Sequence, residues 1–170
     1  MTATVDALDE IVSDSLTAFV ADVLHSGWRG KEHDWVNRYA HAYLLPCCTP
    51  TGPLREASQL GIEVGVPQPP GYEKGATRRD LVIWPSGRYS CWRADWKPVY
   101  HPIALFEWKV HRVGRPKSEQ PHEREWLRRY SAWQAGPVAY AVEIDLLPSA
   151  STLTCTRFHA GTELLNWRSF

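Results

Sequence analysis

The sequence lacks the features that place a protein in a membrane or on an export pathway. It contains no apolar run of the ~18–20 residues that a membrane-spanning helix requires. Its first residues are acidic, without the basic segment and apolar stretch that mark a signal peptide. We therefore expect no membrane partner.

The four cysteines do not form the spacings of a disulfide framework or a zinc knuckle. Cys47 and Cys48 are adjacent, Cys91 and Cys155 are isolated, and no C-x-x-C pair occurs. Adjacent cysteines rarely bridge each other, so reduced thiols in a cytoplasmic protein are the simplest expectation.

Several catalytic motifs are missing as well. His122-Glu123 continues as Arg124-Glu125-Trp126, which breaks the H-E-x-x-H zinc pattern. The chain has no glycine-rich phosphate loop and no G-x-S-x-G elbow. The sequence alone does not exclude a Ser/His/Asp triad that lacks this elbow motif.

The chain has no net charge, but its charges are unevenly distributed. Its 19 basic residues balance its 19 acidic ones, which argues against a binder that relies on bulk positive charge. Residues 1–25 hold five acids and neither Lys nor Arg, whereas residues 109–129 hold seven bases and three acids. The basic segment predicts either a binding patch or a solvated helix face with pairs such as Glu125–Arg129.

Apolar periodicity predicts one domain over residues 1–170, of mixed α/β class, with an N-terminal helical extension at 1–27 and a core at 31–145. The expected helices are 5–23, 31–45 and 118–135, and the expected strands are 61–66, 80–84, 103–110, 138–144 and 153–158. Residues 90–96 would extend the second strand or begin a hairpin. A helix between strands 103–110 and 138–144 favours a parallel crossover, and short loops favour an antiparallel meander before it.

The most informative feature is a charged pair inside the most apolar strand. Because side chains alternate along a strand, Glu107 and Lys109 share a face with Leu105. Unpaired charges in a buried row would be costly, so the two groups either form a structural ion pair or line a site.

A second carboxylate, Asp80, begins the preceding strand. If the strands are neighbours, Asp80, Glu107 and the Trp108 carbonyl supply the oxygen ligands that Mg²⁺ prefers. A metal there would activate water and neutralise charge on a phosphate, while Lys109 would orient the water and stabilise the transition state. Glu32 could supply a third carboxylate from the second helix, or it could simply stabilise that helix's first turn.

The segments Arg-Asp-Leu-Val-Ile-Trp (79–84) and Ala-Leu-Phe-Glu-Trp-Lys-Val (104–110) resemble the PD-(D/E)XK nuclease superfamily, which includes restriction enzymes and archaeal Holliday-junction resolvases. The resemblance implies a restriction-endonuclease-like core, a central mixed sheet flanked by helices, and Mg²⁺- or Mn²⁺-dependent phosphodiester hydrolysis, often by homodimers. It places the metal-binding acids on Asp80 and Glu107, the catalytic lysine on Lys109 and the helix-borne acid on Glu32. Arg79 stands where the family often has Pro, and Glu63 competes with Glu32 as the third acid.

The substrate expected from this resemblance is nucleic acid, DNA rather than RNA. The expected phosphate contacts are basic side chains in and before the third helix: Arg112, Arg115, Lys117, Arg124 and Arg128. Trp92 and Trp96 could stack on bases, although core packing is the role expected for them. The alternative is a catalytically inactive module that binds a protein or nucleic acid, with the acidic N-terminal helix as a docking element.

Overall fold

The computed structural model describes residues 2–113, 121–133, 136–147 and 150–170. The main helices and strands of these residues are α1 Thr2–Asp22, α2 Glu32–Tyr39, β1 Leu60–Pro67, β2 Ala76–Ile83, β3 Ala104–Arg112, α3 Pro121–Ala132, β4 Val138–Leu146, β5 Thr152–His159 and β6 Thr162–Ser169. A π-helical turn, Ala40–Leu44, continues α2, and a short 3-10 turn with Pro46 at its second position follows. The start expected for α3 at Ser118 and its end at Ala135 lie outside the described residues.

The six strands form one mixed sheet in the order β1-β2-β3-β4-β5-β6. Only β3 and β4 are parallel, and α3 connects them, so the predicted crossover and the antiparallel meander before it are confirmed. The mixed α/β class is likewise confirmed.

Some predicted boundaries were wrong. β2 begins at Ala76, four residues before the predicted start, because it continues the β1 hairpin as far as the pair Pro67↔Ala76. β6 was not predicted at all. It is an edge strand with Leu164 and Leu165 both exposed, so it lacks the apolar alternation that identifies a half-buried strand.

Two apolar clusters hold the elements together on opposite faces of the sheet. The first joins α1 and α2 to β3, with Phe19 making edge-to-face contacts to Trp35, Tyr39 and Trp108. The second joins α3 to the sheet through Trp126, Leu127 and Tyr130, together with residues such as Leu105. Since α1 buries its apolar stripe in the same cluster as α2, the N-terminal helix is part of the main core.

Next to Glu63 and Asp80, the side chains of β1 and β2 change the face of the sheet on which they lie. Leu60 and Ile62 pack against the first cluster, whereas Val64 and Val66 belong to the second, although strict alternation would put all four on one face. Glu63 has a left-handed backbone (φ 51°), and within these two fully described strands it is not paired with Asp80. The inversion disturbs the sheet at the position of the predicted metal-binding acid.

Candidate functional site

The site lies where β2 and β3 separate. The two strands pair only from Ile83↔Ala104 to Leu81↔Phe106, so the rest of the β3 edge needs other hydrogen-bond partners. Trp108 N–H donates to Asp80 Oδ2 at 2.7 Å, and Val110 N–H donates to Glu32 Oε2 at 3.3 Å. Two carboxylates therefore replace a neighbouring strand, one from β2 and one from the first turn of α2.

Lys109 stands at the centre of a group of acids. Its Nζ lies 3.2 Å from Glu107 Oε1, 3.6 Å from Glu123 Oε2 and 3.7 Å from Glu32 Oε1. We call Asp80, Glu107, Lys109, Glu32 and Glu123 the acid–lysine cluster. The structure thus joins three of the four predicted catalytic residues, Glu107, Lys109 and Glu32, by direct contacts, and it adds Glu123 from α3, which the sequence analysis missed. Asp80 adjoins them through the Trp108 N–H and through its charge interactions with Glu107 and Lys109.

A second cation, Arg79, neutralises the other side of Glu107. Arg79 Nη1 lies 3.2 Å from Glu107 Oε2, and both side chains are about 90% buried, with exposed fractions of 9% and 10%. The guanidinium also stacks on Trp126 of α3 at 3.7 Å from the ring centroid. Sequence reasoning missed this contact because ordinary alternation would direct Arg79 and Glu107 to opposite faces, and only the inversion at Glu63 brings them together.

Two acids of the cluster, Glu32 and Asp80, line a small pocket of about 130 Å³. Glu32, His33, Val36, Glu63 and Asp80 line it. Both candidates for the third acid are therefore present. Glu32 contacts Lys109 and the β3 backbone, whereas Glu63 is half-exposed and lies 3.9 Å from Arg78. These contacts favour Glu32 as the acid that belongs to the cluster.

The electrostatics of the cluster disfavour further negative charge. Burial and then repulsion from Glu107 raise the pKa of Asp80 to about 7. Burial and the Glu107 charge also raise the pKa of Glu123. For Lys109, burial alone would lower the pKa, but the carboxylates of Glu107, Glu32 and Glu123 outweigh it and hold that pKa above its usual value. Lys109 is therefore an ammonium at neutral pH, and it is not a general base in the free protein.

The metal site predicted from the sequence consists of two carboxylates, Asp80 and Glu107, and the Trp108 carbonyl. Among the described residues, no group of three or more His, Cys, Asp or Glu side chains is arranged to hold a metal ion. Mg²⁺, however, is commonly bound through one or two carboxylates and completes its shell with water. Asp80 and Glu107 supply two carboxylates. Since the N–H and C=O of one strand residue point to the same edge, the Trp108 carbonyl faces the Asp80 side.

The predicted phosphate-binding residues are distributed differently. Arg124 pairs with Glu163 and lies 3.8 Å from Glu143, and Arg128 donates to Glu125 at 2.8 Å. The Glu125–Arg129 pair expected for a solvated helix face is present at 2.7 Å.

Arg112 lies at the end of β3 and donates to the Gly30 carbonyl at 2.5 Å. Arg115 and Lys117 lie outside the described residues. Of the five predicted phosphate contacts, none is seen to join the acid–lysine cluster in the described part of the chain.

No helix in the described ranges is both long enough and apolar enough to cross a bilayer. Comparison with protein-family models, with curated proteins and with solved structures found no significant match. The functional conclusion therefore depends on the geometry of the site.

Proposed function

We propose that the protein is a divalent-metal-dependent nuclease with a restriction-endonuclease-like core that hydrolyses phosphodiester bonds, with DNA as the substrate. The observation that carries the proposal is the meeting of Asp80, Glu107, Glu32 and Lys109 at a break in the sheet. Glu107 and Glu32 lie 3.2 and 3.7 Å from the Lys109 ammonium, and repulsion from Glu107 contributes to the raised pKa of Asp80. A divalent cation bound between Asp80 and Glu107 would relieve this repulsion.

Asp80, Glu107 and the Trp108 carbonyl would hold Mg²⁺ or Mn²⁺. When bound, the metal supplies a water of lowered pKa and neutralises charge on the phosphate. Deprotonated Asp80 is required for binding, so the raised pKa of Asp80 makes affinity rise with pH through about 7. The sheet break holds the Asp80 carboxylate in place because its Oδ2 accepts from the Trp108 N–H.

Lys109 acts as a positioned cation. Its ammonium donates to Glu107 at 3.2 Å and lies 3.7 and 3.6 Å from Glu32 and Glu123, so it is held in place to donate to the attacking water and to a phosphate oxygen. The charge that develops on the phosphate in the transition state is stabilised by this ammonium. Glu32 has a positioning role, since it also binds the Val110 N–H and so fixes the β3 edge.

Cleavage of supercoiled plasmid with Mg²⁺ or Mn²⁺ tests the proposal. We expect wild type to nick the plasmid, and we expect Glu107→Gln and Lys109→Met to lower the rate by at least about 100-fold, the size typical of a lost electrostatic group. Glu125→Gln is the matched control, because Glu125 is paired on α3 away from the cluster.

Equal cutting by wild type and both cluster variants would show that the activity has another source. If wild type cleaves neither plasmid DNA nor single-stranded or branched DNA, the proposal is contradicted.

One observation favours a second candidate, a non-catalytic binding module of the same fold. Arg79 and Lys109 already occupy both oxygens of Glu107, as expected for a structural ion pair. This candidate predicts no metal binding, whereas the nuclease requires it. A homodimer and a cytoplasmic location remain proposals that accompany the nuclease assignment.

A further inference from the structure

Residues 88–100, which we call the aromatic hairpin, concentrate the exposed apolar surface of the protein. In the described part of the chain, ten large hydrophobic side chains are exposed, and half of them lie in this segment: Tyr89, Trp92, Trp96, Val99 and Tyr100. Trp96 is 78% exposed and Trp92 is 39% exposed. The sequence-based expectation that both tryptophans pack in the core is therefore wrong. Apolar side chains exposed together in one segment make that segment a candidate binding surface.

The hairpin is held in shape by its backbone. Arg93 N–H donates to Lys97 O and Val99 N–H to Cys91 O, both at 2.9 Å, and Cys91 is buried in the second apolar cluster. Trp96 N–H donates to Arg93 O at 2.9 Å, which closes the turn at the tip. The aromatic side chains are thus displayed on an ordered support.

Trp96 is presented at the tip of the hairpin. Its backbone is left-handed (φ 59°) at the end of the turn that its N–H closes onto Arg93, a conformation that hairpin loops commonly use. Its ring is tilted by 57° to that of Trp92 at a centroid distance of 6.5 Å, so the two rings do not cover each other's faces. An open indole face at the tip of a hairpin is available for stacking.

The charges beside these rings favour an anionic partner. The aromatic hairpin carries Arg88, Arg93 and Lys97 against a single acid, Asp95. Asp95 is shared by Arg93 and Lys97, which leaves a net positive surface. Aromatic rings among cations are the composition of sites that stack successive bases of single-stranded nucleic acid while contacting its phosphates.

The hairpin also lies close to the acidic pocket. The Trp92 ring approaches to 3.3 Å from the position that a Cβ on Gly65 would occupy, which is a close contact between the hairpin and β1. Gly65 is two positions along β1 from Glu63, roughly 7 Å by strand geometry, and Glu63 lines the pocket with Asp80. A short single strand bound at the rings can therefore reach the proposed site.

We propose that the aromatic hairpin binds unpaired bases, with Trp96 as the principal stacking residue, so that the preferred substrate contains single-stranded nucleic acid. This inference rests on the proposed function for its link to cleavage, but binding itself needs neither metal nor catalysis. Bases within a duplex are already stacked on each other, so duplex DNA should not use the Trp96 face.

The test is fluorescence anisotropy with an end-labelled 20-nucleotide single strand of mixed sequence and the matching blunt duplex, in the presence of EDTA. We expect wild type to bind the single strand more tightly than the duplex. Trp96→Ala should weaken single-strand binding roughly fivefold to 100-fold, the loss typical of one stacked base, and leave duplex binding unchanged. Trp96→Phe should retain most of the affinity, because it keeps an aromatic face.

Leu165→Ala is the control, since Leu165 is an exposed apolar residue on β6. Unchanged single-strand binding by Trp96→Ala would overturn the inference, as would a wild type that does not bind the single strand. The inference would also be wrong if wild type is a dimer that Trp96→Ala converts to a monomer, because the rings would then contact a second copy. Trp96-dependent binding without any plasmid cleavage would refute only the proposed nuclease.

Discussion

The buried Arg79–Glu107 pair allows a sharp test of how the site is built. In Arg79→Met, Glu107 would keep Lys109 as a partner on one oxygen and lose its cation on the other, inside a region that is about 90% buried. Removing one partner of a buried pair typically costs about 3–5 kcal/mol. The same substitution also removes the stacking of Arg79 on Trp126, so this value covers the loss of both the ion pair and the stacking.

Urea denaturation in EDTA at neutral pH measures this cost. We expect Arg79→Met to lower the free energy of unfolding by about 3–5 kcal/mol, and we expect Arg79→Met/Glu107→Leu to recover most of it, because no buried charge is then left without its partner. A loss below about 1 kcal/mol in the single variant, the value of a surface pair, would refute the assignment of a buried pair. Equal losses in the single and double variants would also refute it.

Two further predictions concern stability. The pKa of Asp80 is raised from 3.8 to about 7, so the native protein holds a proton that the unfolded chain releases, and stability falls as pH rises between these values by up to about 4 kcal/mol. The Asp80→Asn side chain still accepts from the Trp108 N–H but does not titrate. In thermal unfolding with EDTA, this variant should therefore gain stability relative to wild type between pH 5 and pH 8. Parallel curves of stability against pH for the two proteins would contradict this. Gln59 is fully buried and its amide donates to the Pro53 and Trp84 carbonyls at 2.9 and 2.8 Å. Gln59→Leu should therefore cost about 2–4 kcal/mol in urea denaturation, and a loss under about 1 kcal/mol would show that these carbonyls find other partners.

The order of elements could be predicted because the apolar signal was strong. Residues 104–108 are buried, as is most of the run 138–144, and a helix between the two runs leads to a parallel pair. The β6 strand gave no such signal, since its neighbouring leucines are exposed and Asn166 has a left-handed backbone (φ 49°).

The candidate site could be predicted only in part. Glu107 and Lys109 stood out because charge interrupts an apolar strand, and Asp80 followed from the neighbouring strand. Arg79 and Glu123 could not be found in this way. The contact of Arg79 depends on the left-handed turn at Glu63, and the contact of Glu123 depends on how α3 lies across the sheet. Neither is a local property of the sequence.

Calorimetric titration of the protein with Mn²⁺ at pH 7.5 shows whether the acid–lysine cluster binds a divalent metal. We expect a binding site in wild type and in Glu125→Gln that is lost in Asp80→Asn and in Glu107→Gln, with heats that depend on the buffer because Asp80 releases a proton. If wild type takes up no Mn²⁺, or if both cluster variants bind it as wild type does, the acid–lysine cluster is not a metal-dependent hydrolytic centre.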